Sequence, residues 1–192
     1  DPAFVNVPTQ ALISQAYLKP LAEEIRQADK ALENIQAGKF GKKYAQGMAV
    51  ELPSTSHLVV VDKDGNVVSM TTSIENAFGS GLMANGYLLN NELTDFAFNP
   101  VGADGKTVAN SVAGGKRPRS SMAPTIVMKD GKPYLAVGSP GGSRIIGFVA
   151  KTLVAHIDWG MDIQAAISLP NMLNRGSQYE IEEKTAAADK AA

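Results

Sequence analysis

Twice in this chain a Lys-Asp-Gly triplet stands between two runs rich in β-branched residues: SHLVVVDKDGNVVSM over residues 56–70 and TIVMKDGKPYLAV over residues 125–137. Asp-Gly tolerates the positive-φ backbone that a tight hairpin turn needs, so each segment reads as an antiparallel hairpin, turning at Asp64-Gly65 and at Asp130-Gly131. The shared triplet is turn chemistry and marks no repeat. Helical spacing follows the second hairpin. Ile146, Val149, Ala150, Leu153 and Ile157 line one face of a helix expected over 143–158, and Asp162 is placed to cap another over 160–169. Strands first, with helices laid on them, give an α+β layered fold.

Upstream, Tyr17, Leu21, Ile25, Ala28 and Leu32 recur at helical spacing after Ser14, an N-cap residue, and predict a helix over 15–35 despite Pro20, with Gly38 as its stop. Residues 39–54 have no period; Gly41, Gly47, Pro53 and the basic Lys39, Lys42 and Lys43 read as a solvated linker. The character changes at Thr55. At the far end Thr185 can cap a helix, yet only AAADKAA follows, shorter than the ~12–15 residues an isolated helix needs, so a truncated end is expected.

Composition narrows the function classes. With 192 residues, 44% of them hydrophobic, the chain can bury the core of one domain. A net charge of −1 supplies no field for nucleic acid or an anionic membrane. The absence of Cys removes disulfides and thiolate sites. No apolar run reaches the ~18–20 residues of a membrane-spanning helix. Asp1, Pro2, Ala3 and Phe4 do not open a signal peptide, so the chain is either cytoplasmic or lacks its beginning.

Few residues are left to do chemistry. His57 and His156 are the only histidines; His156 falls in a helix, and His57 lies two residues beyond Thr55 on a strand, badly placed to take that hydroxyl's proton. Each reads as a packed or hydrogen-bonded His. No H-E-x-x-H or His/Asp cluster supports a metal. GSPGGSR, residues 138–144, is either a tight strand-to-helix turn or an anion cradle built from backbone N–H groups. A hydroxyl without a His partner can use an amine as its base, and the α-amino group of a Thr sits beside its own Oγ with a pKa of ~7.7–8.0. That chemistry requires cleavage between Ser54 and Thr55, where linker gives way to strand.

Thr55-Ser56-His57, VVVDKDGNVVSMTTSIENAFGSG, LLNNELTDF (88–96), KRPRSSMAPTIV (116–127) and GSPGGSRII (138–146), together with DPAFVNVP at the start, resemble the γ-glutamyltranspeptidase family over nearly the whole chain. The resemblance implies an N-terminal-nucleophile hydrolase with an αββα sandwich, incomplete here. It implies a proenzyme that cuts itself before Thr55, with 1–54 the end of the large subunit and 55–192 a C-terminally truncated small subunit. It also implies a periplasmic or secreted location, no cofactor, and no nucleic-acid or membrane partner. The partners would be the rest of the large subunit, a γ-glutamyl donor such as glutathione, and an amino acid, peptide or water as acceptor. The alternatives are an acylase of another N-acyl substrate, like the cephalosporin acylases, and an inert unprocessed chain.

Residue by residue, the resemblance makes Thr55 the nucleophile of self-cleavage and of γ-glutamyl transfer. Ser73 stands where the family has a Thr bonded to that nucleophile, and Ser56 replaces the usual second Thr. Glu75, Glu92 and Asp95 match positions that hold the substrate α-ammonium, where carboxylates suit the charge. Glu at the first two is the pattern of the Bacillus-type and acylase-like members. Ser120 and Ser121 match donors to the α-carboxylate, and the N–H groups of Gly141 and Gly142 match an oxyanion hole. The family's large-subunit Arg has no counterpart in 1–54; Arg26 lies on the expected helix and Arg117 in the Ser-Ser segment. Residues 99–115 occupy the place of a lid and contain no aromatic residue.

Overall fold

The computed structural model describes residues 1–28, 32, 38, 40, 44, 45, 54–175 and 179–191; most of the expected linker lies outside the described residues. Helices α1 (Thr9–Leu12) and α2 (Gln15–Gln27) come first. Ser14 caps α2 as expected, its Oγ accepting from Tyr17 N–H at 3.3 Å. The helix expected over 15–35 stops at Gln27, where Ala28 turns to extended backbone. No residue of α2 is buried and Pro20 has no N–H to donate within it, so only local hydrogen bonds hold the last turns and they are not enough to prolong it.

Both expected hairpins form. β1 (Thr55–Val61) pairs antiparallel with β2 (Val67–Ser73), and β3 (Met83–Ala84) with β4 (Tyr87–Leu88). β5 (Thr125–Lys129) pairs with β6 (Lys132–Val137) through Asp130 and Gly131, both at positive φ. The first turn is set by Asp62, whose carboxylate accepts from the N–H groups of Asp64 and Asn66 at 2.9 Å each, while Gly65 takes φ +83°. From that turn the register counts back through seven pairs, Val61 against Val67 to Thr55 against Ser73. Strand period alone therefore brings Thr55 and Ser73 side by side. The two hairpins meet where Ser69 Oγ donates to the Val137 carbonyl at 3.3 Å.

α3 (Ile145–Ile157) and α4 (Ile163–Ser168) follow, then the hairpin of β7 (Met172–Asn174) and β8 (Tyr179–Ile181), and last α5 (Ala186–Ala191). Asp162 caps α4 by accepting from Gln164 and Ala165 N–H, and Thr185 Oγ1 accepts from Ala188 N–H at the start of α5. Lys151 on α3 donates to the Leu169 carbonyl at 2.7 Å and closes the end of α4; burial there lowers its pKa. The buried face of α3 is Ile145, Val149, Thr152 and Ala155, whereas Ile146 and Ile157 of the expected face are exposed. A nearly all-apolar helix has no unique apolar stripe, so its neighbours choose the face. Thr152 is tolerated inside because its hydroxyl donates to the Phe148 carbonyl. A second buried cluster, Phe96, Ala97 and Val108, lies between the strands in sequence. The class is α+β. Leu58, Val59, Val60 and Val61 of β1 all remain exposed. No described helix is long and apolar enough to cross a membrane.

Candidate active site

The site begins at the open end of the first hairpin. Ser73 Oγ accepts from the Thr55 hydroxyl at 3.2 Å and from Glu75 N–H at 2.9 Å, and donates its own proton to the Ser54 carbonyl at 3.1 Å. One hydroxyl thus touches the candidate nucleophile and the carbonyl of the candidate scissile bond. All three contacts use only the oxygen of Ser73.

Immediately after β2 the chain bends sharply. Glu75 takes φ +69°, a left-handed conformation costing a non-Gly residue on the order of 1–2 kcal/mol, and its side chain is buried. Asn91 holds this bend: its side-chain amide donates to Glu75 Oε2, its own N–H to the Ile74 carbonyl at 3.2 Å, and its Oδ1 accepts from Asn76 N–H at 2.9 Å. Three bonds from one Asn therefore join the segment after β2 to the 3-10 turn Glu92–Asp95. Asn90 starts that turn by accepting from Glu92 N–H at 3.0 Å. Glu92 Oε1 is sealed from solvent with no hydrogen-bond partner among the described residues. Asp95 is buried, and its carbonyl accepts from the Asn110 side chain at 2.6 Å.

The third wall is the segment bearing Ser120 and Ser121. Lys116 Nζ donates to the carbonyls of Ala109 and Ser111 at 2.7 Å each, and Asn110 Oδ1 accepts from Arg119 N–H at 2.9 Å. From the other side, the Asp1 carboxylate accepts from Arg117 N–H at 3.0 Å. Asn110 links the acidic turn to the Ser-Ser segment, as one residue bonded to both Asp95 and Arg119. Within 99–115 it is Ala109, Asn110 and Ser111 that make these ties.

The fourth wall is the glycine turn between β6 and α3. Gly141 and Gly142 adopt φ +135° and +57°, and a Cβ on Gly141 would lie 2.8 Å from the Phe148 ring. Only Gly fits there. Thr55, Ser73, Glu75, Glu92, Asp95, Ser120, Ser121 and Gly142 line a single cleft, with Met122 and Ile145 as its apolar contribution. Gly141 lines a second cleft that shares Thr55 and Ser73 with the first and also includes Ser54 and Ser56. Asn91 and Met122 were not anticipated as site residues. Both lie inside quoted motifs, but Asn91 is recognisable only once the bend it ties is seen.

The histidines stand apart. His57 Nδ1 bonds to Thr71 Oγ1 at 2.9 Å, and its ring lies over Gly138, where a Cβ would come within 2.1 Å of it. His156 bonds through Nδ1 to the Met161 carbonyl and through Nε2 to the Tyr134 hydroxyl, both at 2.8 Å. A carbonyl can only accept, so Nδ1 carries a proton and donates it there. Neither histidine lines the cleft.

The chain that builds this cleft has relatives among known proteins. The family model described as gamma-glutamyltranspeptidase matches residues 1–192. The chain is 44% identical over 196 residues to a glutathione hydrolase proenzyme of Bacillus subtilis, covering 95% of this chain and 32% of that protein. An acylase ACY 1 proenzyme of Pseudomonas matches at 36% identity, over 95% of this chain and 30% of its own length. Among solved structures, a γ-glutamyltranspeptidase of Helicobacter pylori superposes with a TM-score of 0.60 at 39% identity, covering 70% of this chain and 78% of that one. The chain spans about a third of the length of the Bacillus subtilis and Pseudomonas relatives. By sequence and by fold, this chain belongs to the γ-glutamyltranspeptidase family.

Proposed function

We propose that the protein containing this chain transfers or hydrolyses γ-glutamyl groups, from glutathione or a similar γ-glutamyl amide, through an acyl-enzyme on Thr55. The observation that carries this reading is the Ser73 hydroxyl, bonded at once to Thr55 Oγ1 and to the Ser54 carbonyl. In self-cleavage Thr55 Oγ attacks the Ser54 carbonyl carbon, the Ser73 hydroxyl donates to the carbonyl oxygen as charge gathers there, and the Oγ proton is passed to the Thr55 nitrogen as it leaves. The C–N bond breaks, the ester left on Oγ is hydrolysed by water, and Thr55 gains a free α-amine.

That amine is then the base. It takes the Oγ proton as Thr55 attacks the γ-carbonyl of the donor, and returns it to the departing amine. The N–H groups of Gly141 and Gly142 support the oxyanion. Glu75, Glu92 and Asp95 hold the α-ammonium end, and Ser120 and Ser121 donate to the α-carboxylate. The sealed oxygen of Glu92 supports this, since a buried carboxylate oxygen is expensive until a donor reaches it. Water or an amine acceptor releases the acyl group.

On this reading residues 1–54 close the large subunit and 55–192 begin the small one. The hairpins and helices belong to an αββα sandwich, whose exposed β1 residues are covered by the remainder of the large subunit. The location is periplasmic or secreted. The test is release of nitroaniline from a γ-glutamyl anilide by the whole protein, with Thr55→Ala as control. No release beyond that control refutes the proposal. Faster cleavage of a β-lactam side-chain amide than of the anilide would favour the acylase relative's chemistry.

A further inference from the structure

The glycine turn that faces Thr55 is built from the most permissive residues in the chain. Gly141 and Gly142 both sit at positive φ, and a glycine backbone has no side chain to keep it there. Oxyanion donors act only if their direction is held before the reaction, so rigidity must come from the turn's surroundings.

Those surroundings are specific. Ser143 and Arg144 end the turn, and both are tied to the β7–β8 hairpin. Arg144 Nε donates to Glu180 Oε2. Arg175 places Nε at 3.0 Å from Glu180 Oε1, directs Nη2 to the same oxygen, and donates from Nη1 to Ser143 Oγ. Glu180 thus joins two guanidinium groups, one belonging to the turn and the other reaching back to it. Beneath the clamp Leu173 packs on Gly147, where a Cβ would meet Leu173 Cδ2 at 2.1 Å, so the hairpin lies directly on the first turns of α3. The partners are about one-quarter to two-fifths exposed, and each guanidinium takes one oxygen of the Glu180 carboxylate, Arg144 Oε2 and Arg175 Oε1, by charge-assisted hydrogen bonds. Arg144 and Arg175 hold the Glu180 carboxyl below the ordinary Glu range, so it remains charged at neutral pH.

We infer that Glu180 is a positioning residue for the oxyanion turn, acting through Arg144 and through the Arg175–Ser143 contact and touching no substrate itself. This rests on the proposed role of Gly141 and Gly142. The step it serves is formation of the tetrahedral intermediate, so its removal lowers kcat while leaving the binding of the substrate's α-ammonium and α-carboxylate intact. The cleft of Glu75, Glu92, Asp95, Ser120 and Ser121 receives no atom of the clamp.

The experiment compares wild type, Glu180→Ala, Glu180→Gln and Ser143→Ala in the whole protein, by steady-state kinetics on a γ-glutamyl anilide and by hydrogen exchange of the peptide spanning 141–147. For Glu180→Ala the expected result is a kcat roughly 10-fold down, KM within about 2-fold, and faster exchange across 141–147 with β1 and β2 unchanged. Glu180→Gln, which keeps one acceptor and the side-chain length, recovers part of the kcat. Ser143→Ala breaks only the Arg175 arm and gives a smaller loss in the same direction. It also supplies the test if Glu180→Ala fails to fold. A kcat within 2-fold of wild type in both Glu180→Gln and Ser143→Ala overturns the inference, as does unchanged exchange at 141–147. A fall in thermal stability with kcat intact well below the melting point reduces Glu180 to a structural residue and overturns it too. A wild type with no activity above Thr55→Ala refutes the functional proposal instead, and the exchange measurement still decides whether Glu180 holds the turn.

Discussion

Two parts of the cleft deliver hydroxyl groups by opposite means. The β1–β2 hairpin delivers Thr55 and Ser73 by counting: a turn set by Asp62 and Gly65 fixes the register, and seven residue pairs later the two hydroxyls stand opposite each other. The segment carrying Ser120 and Ser121 belongs to no strand or helix and is held by a few side-chain bonds, from Asn110 and Lys116 nearby in sequence and from Asp1 at the far end of the chain. A ladder spreads its precision over many equivalent bonds, and slipping it by one residue would reverse every side chain. A tied loop concentrates its precision in a few bonds. The difference teaches where this site is robust and where it is vulnerable.

The sharpest test of the ladder side is chemical. Thr55→Ala should abolish both self-cleavage and turnover, a loss on the order of 10⁴-fold or more, with Thr55→Ser keeping part of each. Maturation followed by mass spectrometry decides it, and a maturing Ala variant would remove Thr55 from the mechanism. Next in size, Ser73→Ala takes away the donor to the Ser54 carbonyl and the acceptor for Glu75 N–H while leaving the ladder paired. Self-cleavage should slow by roughly 10²–10³-fold, the usual consequence of losing one oxyanion donor, and a maturation time course reads it.

On the other side, Asp95→Asn should raise KM for γ-glutamyl substrates about 10-fold or more with kcat little changed, because its proposed role is to bind a group remote from the reacting carbonyl. An unchanged KM would sink that role. Asn110→Ala tests the tie itself. It strips the Asp95 carbonyl and Arg119 N–H of their shared partner, and should cost about 1–2 kcal/mol of stability in denaturant titration and raise KM a few-fold. Equal sensitivity of hairpin and loop to such deletions would erase the contrast.

The smallest effect concerns the turn that sets the register. Hydrogen bonds from the Asn66 side chain and backbone, and from the N–H groups of Asp64 and Gly65, lower the Asp62 pKa from 3.8. A carboxylate lowered on folding stabilises the fold above its unfolded value, and that support is lost as pH falls through the lower, folded one. Exchange at Asn66 N–H should therefore quicken only on acidification below about pH 3.8, while Thr55 and Ser73 stay paired. Simultaneous loss of the Thr55–Ser73 pairing would mean that the turn alone holds the ladder.

Local chemistry along the chain pointed to Thr55 and the glycine turn, whereas Ser73, Glu75, Glu92, Asp95, Ser120 and Ser121 were expected only from the family resemblance. Thr55 stood where linker became strand, and Gly141-Gly142 lay between a strand and a helix. Glu75 gave no such sign: nothing in TTSIENAF predicts a left-handed Glu, since Asn91, from another segment, stabilises it. The face of α3 was misjudged by one residue for a related reason. With Ile145, Ile146, Phe148, Val149, Leu153 and Val154 all apolar, several stripes satisfy the pattern, and packing against α4 and the β7–β8 hairpin chose among them.

The sequence by itself determined the elements whose causes lie within a few residues: two hairpins from their turns, the register that sets Thr55 beside Ser73, and the caps Ser14, Asp162 and Thr185. Hydrogen bonds over two to four residues need no partner from elsewhere, so propensity and spacing suffice to specify them. Only the tertiary structure decided that Glu75, Glu92, Asp95, Ser120, Ser121 and Gly142 share one cleft. Their convergence rests on single side-chain bonds across 15, 16 and even 116 positions of sequence, from Asn110 to Asp95, Asn91 to Glu75 and Arg117 to Asp1. Such bonds are worth forming only after the intervening chain has folded and its loop entropy has been lost, and that cost leaves no periodic mark in the sequence.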